Sequence, residues 1–434
     1  MQHHSQQNTL LGVIKGSLVA FLITVVFTSC SNQEKTIVAD EDNAGLTLPE
    51  GFGALKAADS VGKPRHLTVN AHGDIFVKLE RPKDGKGILV LSDTDGDGKI
   101  DSTAGFGDYG GTGIAIKGDY LYASSNTDVF RYKLDENERV ADTQPETVIT
   151  GLIDRRQHNS KSIALDDAGN IYVNIGAYSN ACQIQDRTKG SPGMLPCPVL
   201  DSAGGIWQFK ADGNKQGYSN GVHYATGLRN VVGLDWNKQA NALFVMQHGR
   251  DNLQDFYPEL FGGPDVSVNL PAETMYEVRK GTNAGWPYYF YDQNKKQKVV
   301  NPEYESHQND LIAADSIADP AVAFPAHLAP NALLFYTGDM FPEKYKNGAF
   351  IAFHGSWNRA PKQEGFMVAF VPFKDGKPNG EWEVFAKGFA GADTIESPGD
   401  AKHRPTGLAQ GPDGSLYVSD DAGGTIYRII YAKK

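Results

Sequence analysis

Apolar and polar positions alternate in short runs along most of the chain, and one arrangement of them returns six times. Its clearest copy, Pro405 to Ile429, reads PTGLAQGPDGSLYVSDDAGGTIYRI. The apolar triplet Gly407-Leu408-Ala409, a Pro-Asp-Gly turn, the run Ser415 to Val418, a Gly-rich loop and the run Thr425 to Ile430 predict three successive strands. Proline presets φ and glycine accepts a positive φ, which suits the triplet to a tight turn. Looser copies lie at 64–79, 112–134, 161–176 with a returning strand at 206–210, 231–247, and 332–353 with 366–373. The first three start about 48 residues apart, near the blade length of a propeller. No stretch of helical period exceeds about ten residues. The pattern therefore predicts an all-β fold, a six-bladed β-propeller of four-stranded antiparallel blades around a central channel. A seventh blade would have to hide in the excursion 255–330, whose Tyr304 to Asp319 portion is polar and loop-like.

Residues 1–30 break this pattern. Lys15 precedes an apolar run from Gly16 to Phe27, too short to span a bilayer comfortably and of the length of a signal-peptide core. The run ends Thr28-Ser29-Cys30, small residues before a cysteine, as at a bacterial lipoprotein cleavage site. The expected organisation is a signal peptide over 1–30, a polar tether over 31–46 and the propeller over 47–434. Cys30 would carry a lipid anchor to the membrane of an exported cell-envelope lipoprotein. The alternative is an ordinary secretory signal with an incidental cysteine. Export places Cys182 and Cys197 in an oxidising compartment, where an even pair is expected to form a disulfide.

Charge narrows the partners. A formal net charge of −11 argues against a nucleic-acid surface, which would be basic. The sharpest acidic motif runs Asp93-Thr94-Asp95-Gly96-Asp97-Gly98-Lys99-Ile100-Asp101. Its carboxylates and glycine follow the first part of a calcium-binding loop, although the twelfth position is Ala104 rather than a glutamate. A structural calcium held by Asp93, Asp95, Asp97 and Asp101, with Asp108 as a further carboxylate to complete it, stands against a plain acidic turn.

Basic and imidazole side chains recur where inner strands begin. His158 lies before the strand at 161, Arg229-Asn230 before the next and Arg404 before the last, with His354 and Arg359 on a turn of the fifth copy. A histidine at a channel mouth suits general-base work near neutral pH. Arginines converging there suit an anionic ligand, because their forked donors match carboxylates. The plainer reading pairs each arginine with an acidic neighbour.

Taken together, His158 with SKSIALDDAGNIYVNIGAYSNAC, GLRN at 227–230, QHGRDN at 247–252, NAGWP at 283–287, HGSWNR at 354–359 and RPTGLAQGPDGSLYVSD at 404–420 resemble the glucose/sorbosone dehydrogenase family. That resemblance implies a quinoprotein propeller using pyrroloquinoline quinone (PQQ) and calcium to oxidise a sugar. By position it implies His158 as the base. It gives Arg229, Asn230, Arg404 and Asp420 to the cofactor, with Arg359 or Lys362 standing in for the family's cofactor lysine. Gly249 and Arg250 would hold a catalytic calcium through carbonyls, with Glu273 as a structural calcium carboxylate. Arg250 departs from the family's proline and brings a new charge. No C-x-x-C-H appears, so electrons would pass to an external quinone or cytochrome. Two other functions remain open on the same ring, a non-enzymatic surface propeller that binds carbohydrate or protein, and a calcium-dependent lactonase-like hydrolase.

Overall fold

The computed structural model describes residues 36–263, 266–359 and 361–432. The signal peptide, Cys30 and the first part of the expected tether lie outside them. Six sheets follow one another. Blade 1 holds Pro64–Val69, Ile75–Lys83, Lys86–Ser92 and Ser102–Phe106. Blade 2 holds Ile114–Lys117, Tyr120–Ser124, Val129–Lys133 and Glu146–Ile149. Blade 3 holds Ile163–Leu165, Asn170–Ile175, Gly205–Lys210 and Val222–Thr226, with the short Thr282–Asn283 added in parallel at its edge. Blade 4 holds Val231–Asn237, Ala242–Gln247, Glu273–Val278 and Val322–Phe324, and blade 5 holds Pro330–Phe335, Ala349–Phe353, Met367–Val371 and Glu383–Ala386.

Blade 6 closes the ring. Pro405–Gln410, Leu416–Asp420 and Thr425–Tyr431 take their fourth strand, Phe52–Ala58, from the other end of the described chain. Each inner strand touches the next, Pro64–Val69 through Pro405–Gln410 and back, so the channel is fully encircled. The excursion 255–330 hides no seventh blade among the described residues. It carries the two outer strands of blade 4, a hairpin of Tyr289–Asp292 with Gln297–Val300, and short helical turns.

Why this sequence stacks is visible in the side-chain alternation. A strand inside a propeller is covered on both faces, so odd and even residues serve different neighbours. Ile75 and Val77 pack with Ala409 and Tyr417 of blade 6, whereas Phe76 packs with Leu121 and Ala123 of blade 2. Leu243 and Val245 face blade 3, while Phe244 and Met246 face blade 5. Each of the six blade interfaces has its own apolar cluster in this manner. The expected tether ends early, since Ala44 and Leu46 are buried with Phe385 and Phe389. No described helix is long and apolar enough to cross a membrane.

Candidate active site

The chain segments that lead into the inner strands meet at one end of the channel, and they carry most of the residues singled out above. His158 sits in the turn before Ile163–Leu165 with φ of +49°, a conformation that surrounding contacts must hold. Its Nδ1 lies 2.5 Å from the Ala177 carbonyl. A carbonyl only accepts, so Nδ1 carries the proton and Nε2 is left as an acceptor. Burial first, then the Arg229 charge, pushes the His158 imidazole down to about 3, so it is neutral at physiological pH. Gly176 makes the close approach possible. A Cβ there would stand 2.6 Å from both Cβ and the carbonyl oxygen of His158, and 3.0 Å from Asn230 Oδ1. That Asn230 oxygen is buried and has no hydrogen-bond partner among the described residues.

Arg229 is buried, and each of its three guanidinium nitrogens has a partner. Its Nη2 donates to Asp251 Oδ2 at 2.6 Å, its Nη1 to the Gly249 carbonyl at 2.9 Å and its Nε to the Asn180 carbonyl at 3.2 Å. Asp251 also accepts from Arg187 at 2.9 Å and from Asn358 Nδ2 at 3.0 Å. Despite burial, these cations hold its carboxyl well below the usual range. The plainer reading therefore holds for Arg229, whose acidic partner the motif QHGRDN contained all along.

Arg404 differs. Its Nε and Nη2 donate to the carbonyls of His354 and Gly355 at 3.1 and 2.6 Å, and no carboxylate pairs with its guanidinium among the described residues. Asp420 is completely buried below it and accepts the Arg404 N–H at 2.6 Å and His403 Nδ1 at 2.7 Å. Its oxygens also take the Ala422 and Gly423 N–H groups, so Asp420 shapes the loop that presents Arg404 rather than reaching a ligand. Arg359 likewise turns away, donating to the Ala326 and Val268 carbonyls and to Glu364. Lys362 is exposed beside a separate cavity of about 400 Å³.

The positions expected to hold calcium divide. At the mouth, Gly249 gives its carbonyl to Arg229, and its N–H donates to Glu273 Oε2 at 2.9 Å. Glu273 Oε1 accepts the Ala329 N–H at 3.4 Å, and burial pushes this carboxyl up to about 8. Arg250 buries its side chain against Glu303. Gly249 and Glu273 are thus bonded to each other, while the Arg250 side chain is engaged apart from them with Glu303. On the outer part of blade 1, by contrast, ligand oxygens of Asp93, Asp95 and Asp101 all lie within 4.8 Å of one another. Asp97 stands outside that group and accepts the Lys99 N–H at 2.8 Å.

Several mouth residues escaped the sequence reading. His248, pushed down to about 3 by burial, meets the Pro330 carbonyl at 3.1 Å. Asp421 joins three blades, accepting Arg65 at 2.8 Å and approaching His354 Nε2 at 2.7 Å. The available signal was adjacency to motifs already noted, since Asp421 follows Asp420 and His354 opens HGSWNR. The disulfide forms as expected between Cys182 and Cys197. Its loop reaches the mouth through Arg187 to Asp251 and through Asp186, which accepts Gln157 Nε2 at 2.9 Å.

The family described as TrAA12-like matches residues 46–432. The chain belongs to this family. An uncharacterised protein of Borreliella burgdorferi is 27% identical over 426 residues, covering 95% of this chain and 97% of that one. The pyrroloquinoline quinone-dependent pyranose dehydrogenase of Coprinopsis cinerea is 24% identical, and the match covers 93% of this chain but 56% of that longer protein. A calcium structure of a Trichoderma reesei carbohydrate-active enzyme of family AA12 superposes with a TM-score of 0.73 at 19% identity, covering 92% of this chain and 100% of that one. That likeness speaks for the shared propeller.

Proposed function

We propose that this chain is a quinoprotein oxidoreductase that oxidises an aldose or a related hydroxy-aldehyde. The observation that carries the reading is the pairing of a neutral, carbonyl-anchored His158 with the unpartnered buried oxygen of Asn230 at the channel mouth. The relative from Coprinopsis cinerea, described as PQQ-dependent, supports it.

The donor set suits PQQ, an anionic tricarboxylic quinone. Among the described residues Arg404 offers a guanidinium paired with no carboxylate, and Asn230 adds an Oδ1 acceptor that no described group satisfies. Arg404 and Asn230 would hold the cofactor, with Arg229 supporting them as a positive charge fixed by Asp251. When bound, PQQ supplies the two-electron oxidant that receives the substrate's hydride.

The remaining chemistry belongs to the protein. His158 Nε2 accepts the proton of the hydroxyl being oxidised, and the bond from Nδ1 to Ala177 fixes the tautomer that makes this possible. Because burial keeps the ring uncharged, the base is available throughout the neutral range. The fixed cations of Arg229 and Arg404 favour negative charge as it builds at the mouth, a preorganised electrostatic role. Gly249 and Glu273 are engaged with Arg229 and with each other rather than set out as an open calcium cage. Calcium fits the Asp93, Asp95 and Asp101 group better, as hard oxygen donors with a structural role. Electrons leave to a separate acceptor, a quinone or a cytochrome.

The test is to titrate purified protein with PQQ and calcium, then follow the cofactor's absorbance while a panel of aldoses is added. Bleaching by at least one aldose in wild type, with PQQ bound but unbleached in His158→Ala, is the expected result. Undiminished turnover in His158→Ala would remove the assigned base, and no binding at micromolar PQQ would remove the reading.

A further inference from the structure

Trp357 stands apart from the buried tryptophans of the chain. Its side chain is 54% exposed, whereas Trp207 and Trp286 are 3% and 4% exposed. The turn that carries it is not loose. On one side the Gly355 N–H donates to the Leu328 carbonyl at 3.0 Å, and the His354 and Gly355 carbonyls receive Arg404. Ser356 is buried, with its Oγ 2.8 Å from Gln363 Oε1 and its N–H on the Glu364 carbonyl at 2.8 Å. On the other side Asn358 Nδ2 donates to Asp251, the carboxylate that pairs with Arg229. Both neighbours of Trp357 are therefore pinned, one of them to the mouth itself, while the indole is left in water. What sets Trp357 apart from the other exposed apolar side chains, such as Ile184 and Leu260, is that it is aromatic and sits on a turn tied to Asp251 and Arg404.

We propose that Trp357 is the platform on which the pyranose ring of the substrate stacks, and so a determinant of substrate class. The proposal rests on the sugar-oxidising reading above. A pyranose presents a face of C–H bonds edged by hydroxyls, which matches an indole that is apolar over its plane and polar at its N–H. One flank of this turn is bonded to Asp251, whose charge acts on His158, and the other to Arg404, which ties the platform to the mouth. A three-carbon hydroxy-aldehyde is too small to cover the indole, so the platform favours ring sugars over short substrates.

The experiment compares wild type, Trp357→Ala and Trp357→Phe, each loaded with PQQ, on glucose and on glyceraldehyde. Trp357→Ala lowers the ratio of kcat/KM for glucose to that for glyceraldehyde about tenfold, mostly through KM, as loss of one aromatic contact worth about 1.4 kcal/mol would. Trp357→Phe recovers part of that ratio. An unchanged ratio overturns the proposal, whether both substrates suffer equally (a structural role) or neither does (an indole that docks a protein). Calorimetric titration of cofactor-free protein with glucose separates this from the reading it rests on. Trp357-dependent binding without turnover in wild type retains the platform and sinks the sugar-oxidising reading, whereas turnover of glucose with an unchanged ratio does the reverse.

Discussion

Arg250 Nη1 stands 2.7 and 2.6 Å from the two carboxylate oxygens of Glu303, and both side chains are essentially excluded from solvent. The charge that looked foreign in the sequence is thus neutralised by a residue of the blade 4 excursion, from a 3-10 turn spanning Pro302–Asp310. Removing one partner leaves the other charged and buried. Glu303→Gln should therefore cost about 3–5 kcal/mol of stability, read as a lower urea midpoint. The double variant Arg250→Met, Glu303→Leu should recover much of that loss, because no buried charge remains unpaired. Equal loss in single and double variants would show that packing, not charge, dominates.

Acid should destabilise the fold before carboxylates with ordinary pKa values titrate. His66, His158, His248 and His327 are pushed down by burial to about 4, 3, 3 and 4. Unfolded imidazoles take up protons below about 6.5, while the folded ones stay neutral, so the unfolded state binds more protons in this window. Stability then falls as pH drops from about 6.5 toward 4. Asp235 and Glu273, pushed up to about 6 and 8, act in the opposite sense but are fewer. Urea midpoints at pH 7, 5.5 and 4.5 measure the slope, and His66→Gln should reduce it by roughly one proton, about 1.4 kcal/mol per pH unit. A flat profile would contradict the neutral histidines.

Arg404 should be the most sensitive handle on cofactor affinity. Losing a hydrogen-bonded cation of this kind costs about 1.5–3 kcal/mol, so Arg404→Ala should weaken PQQ binding roughly 10- to 100-fold in an absorbance titration. Arg404→Lys should fall between, since it keeps the charge and loses the fork. Equal affinity in all three would place the cofactor elsewhere.

The disulfide should matter for activity as well as stability. Cys182 and Cys197 close a loop of sequence separation 15, worth about 3 kcal/mol by chain entropy. The same loop sends Arg187 to Asp251 and Asp186 to Gln157, beside the base. A Cys182→Ser, Cys197→Ser double variant should melt lower and lose kcat more than PQQ affinity. Unchanged kcat would limit the loop to a structural role.

The blades were readable because a strand and its turn are local objects. Period-two apolar runs and Gly-containing turns specify themselves within about twenty residues, and all six copies appear where the pattern placed them. His158 and Arg404 were legible for a related reason, since a residue just before an inner strand of a ring must lie near the mouth. What each side chain touches was not legible. Arg229 and Arg404 occupy matching positions in their blades, yet one is paired with Asp251 and the other, among the described residues, forms an ion pair with no carboxylate.

The sequence by itself determined the repeat, its number and the end of the ring where chemistry gathers, because hydrophobic periodicity and turn chemistry act over short distances. Only the tertiary structure decided that Phe52–Ala58 completes the last blade, that Glu303 answers Arg250, and that Trp357 is held out in water between two pinned neighbours. Those outcomes join residues tens to hundreds of positions apart, and pairing at such separation depends on how the whole ring closes.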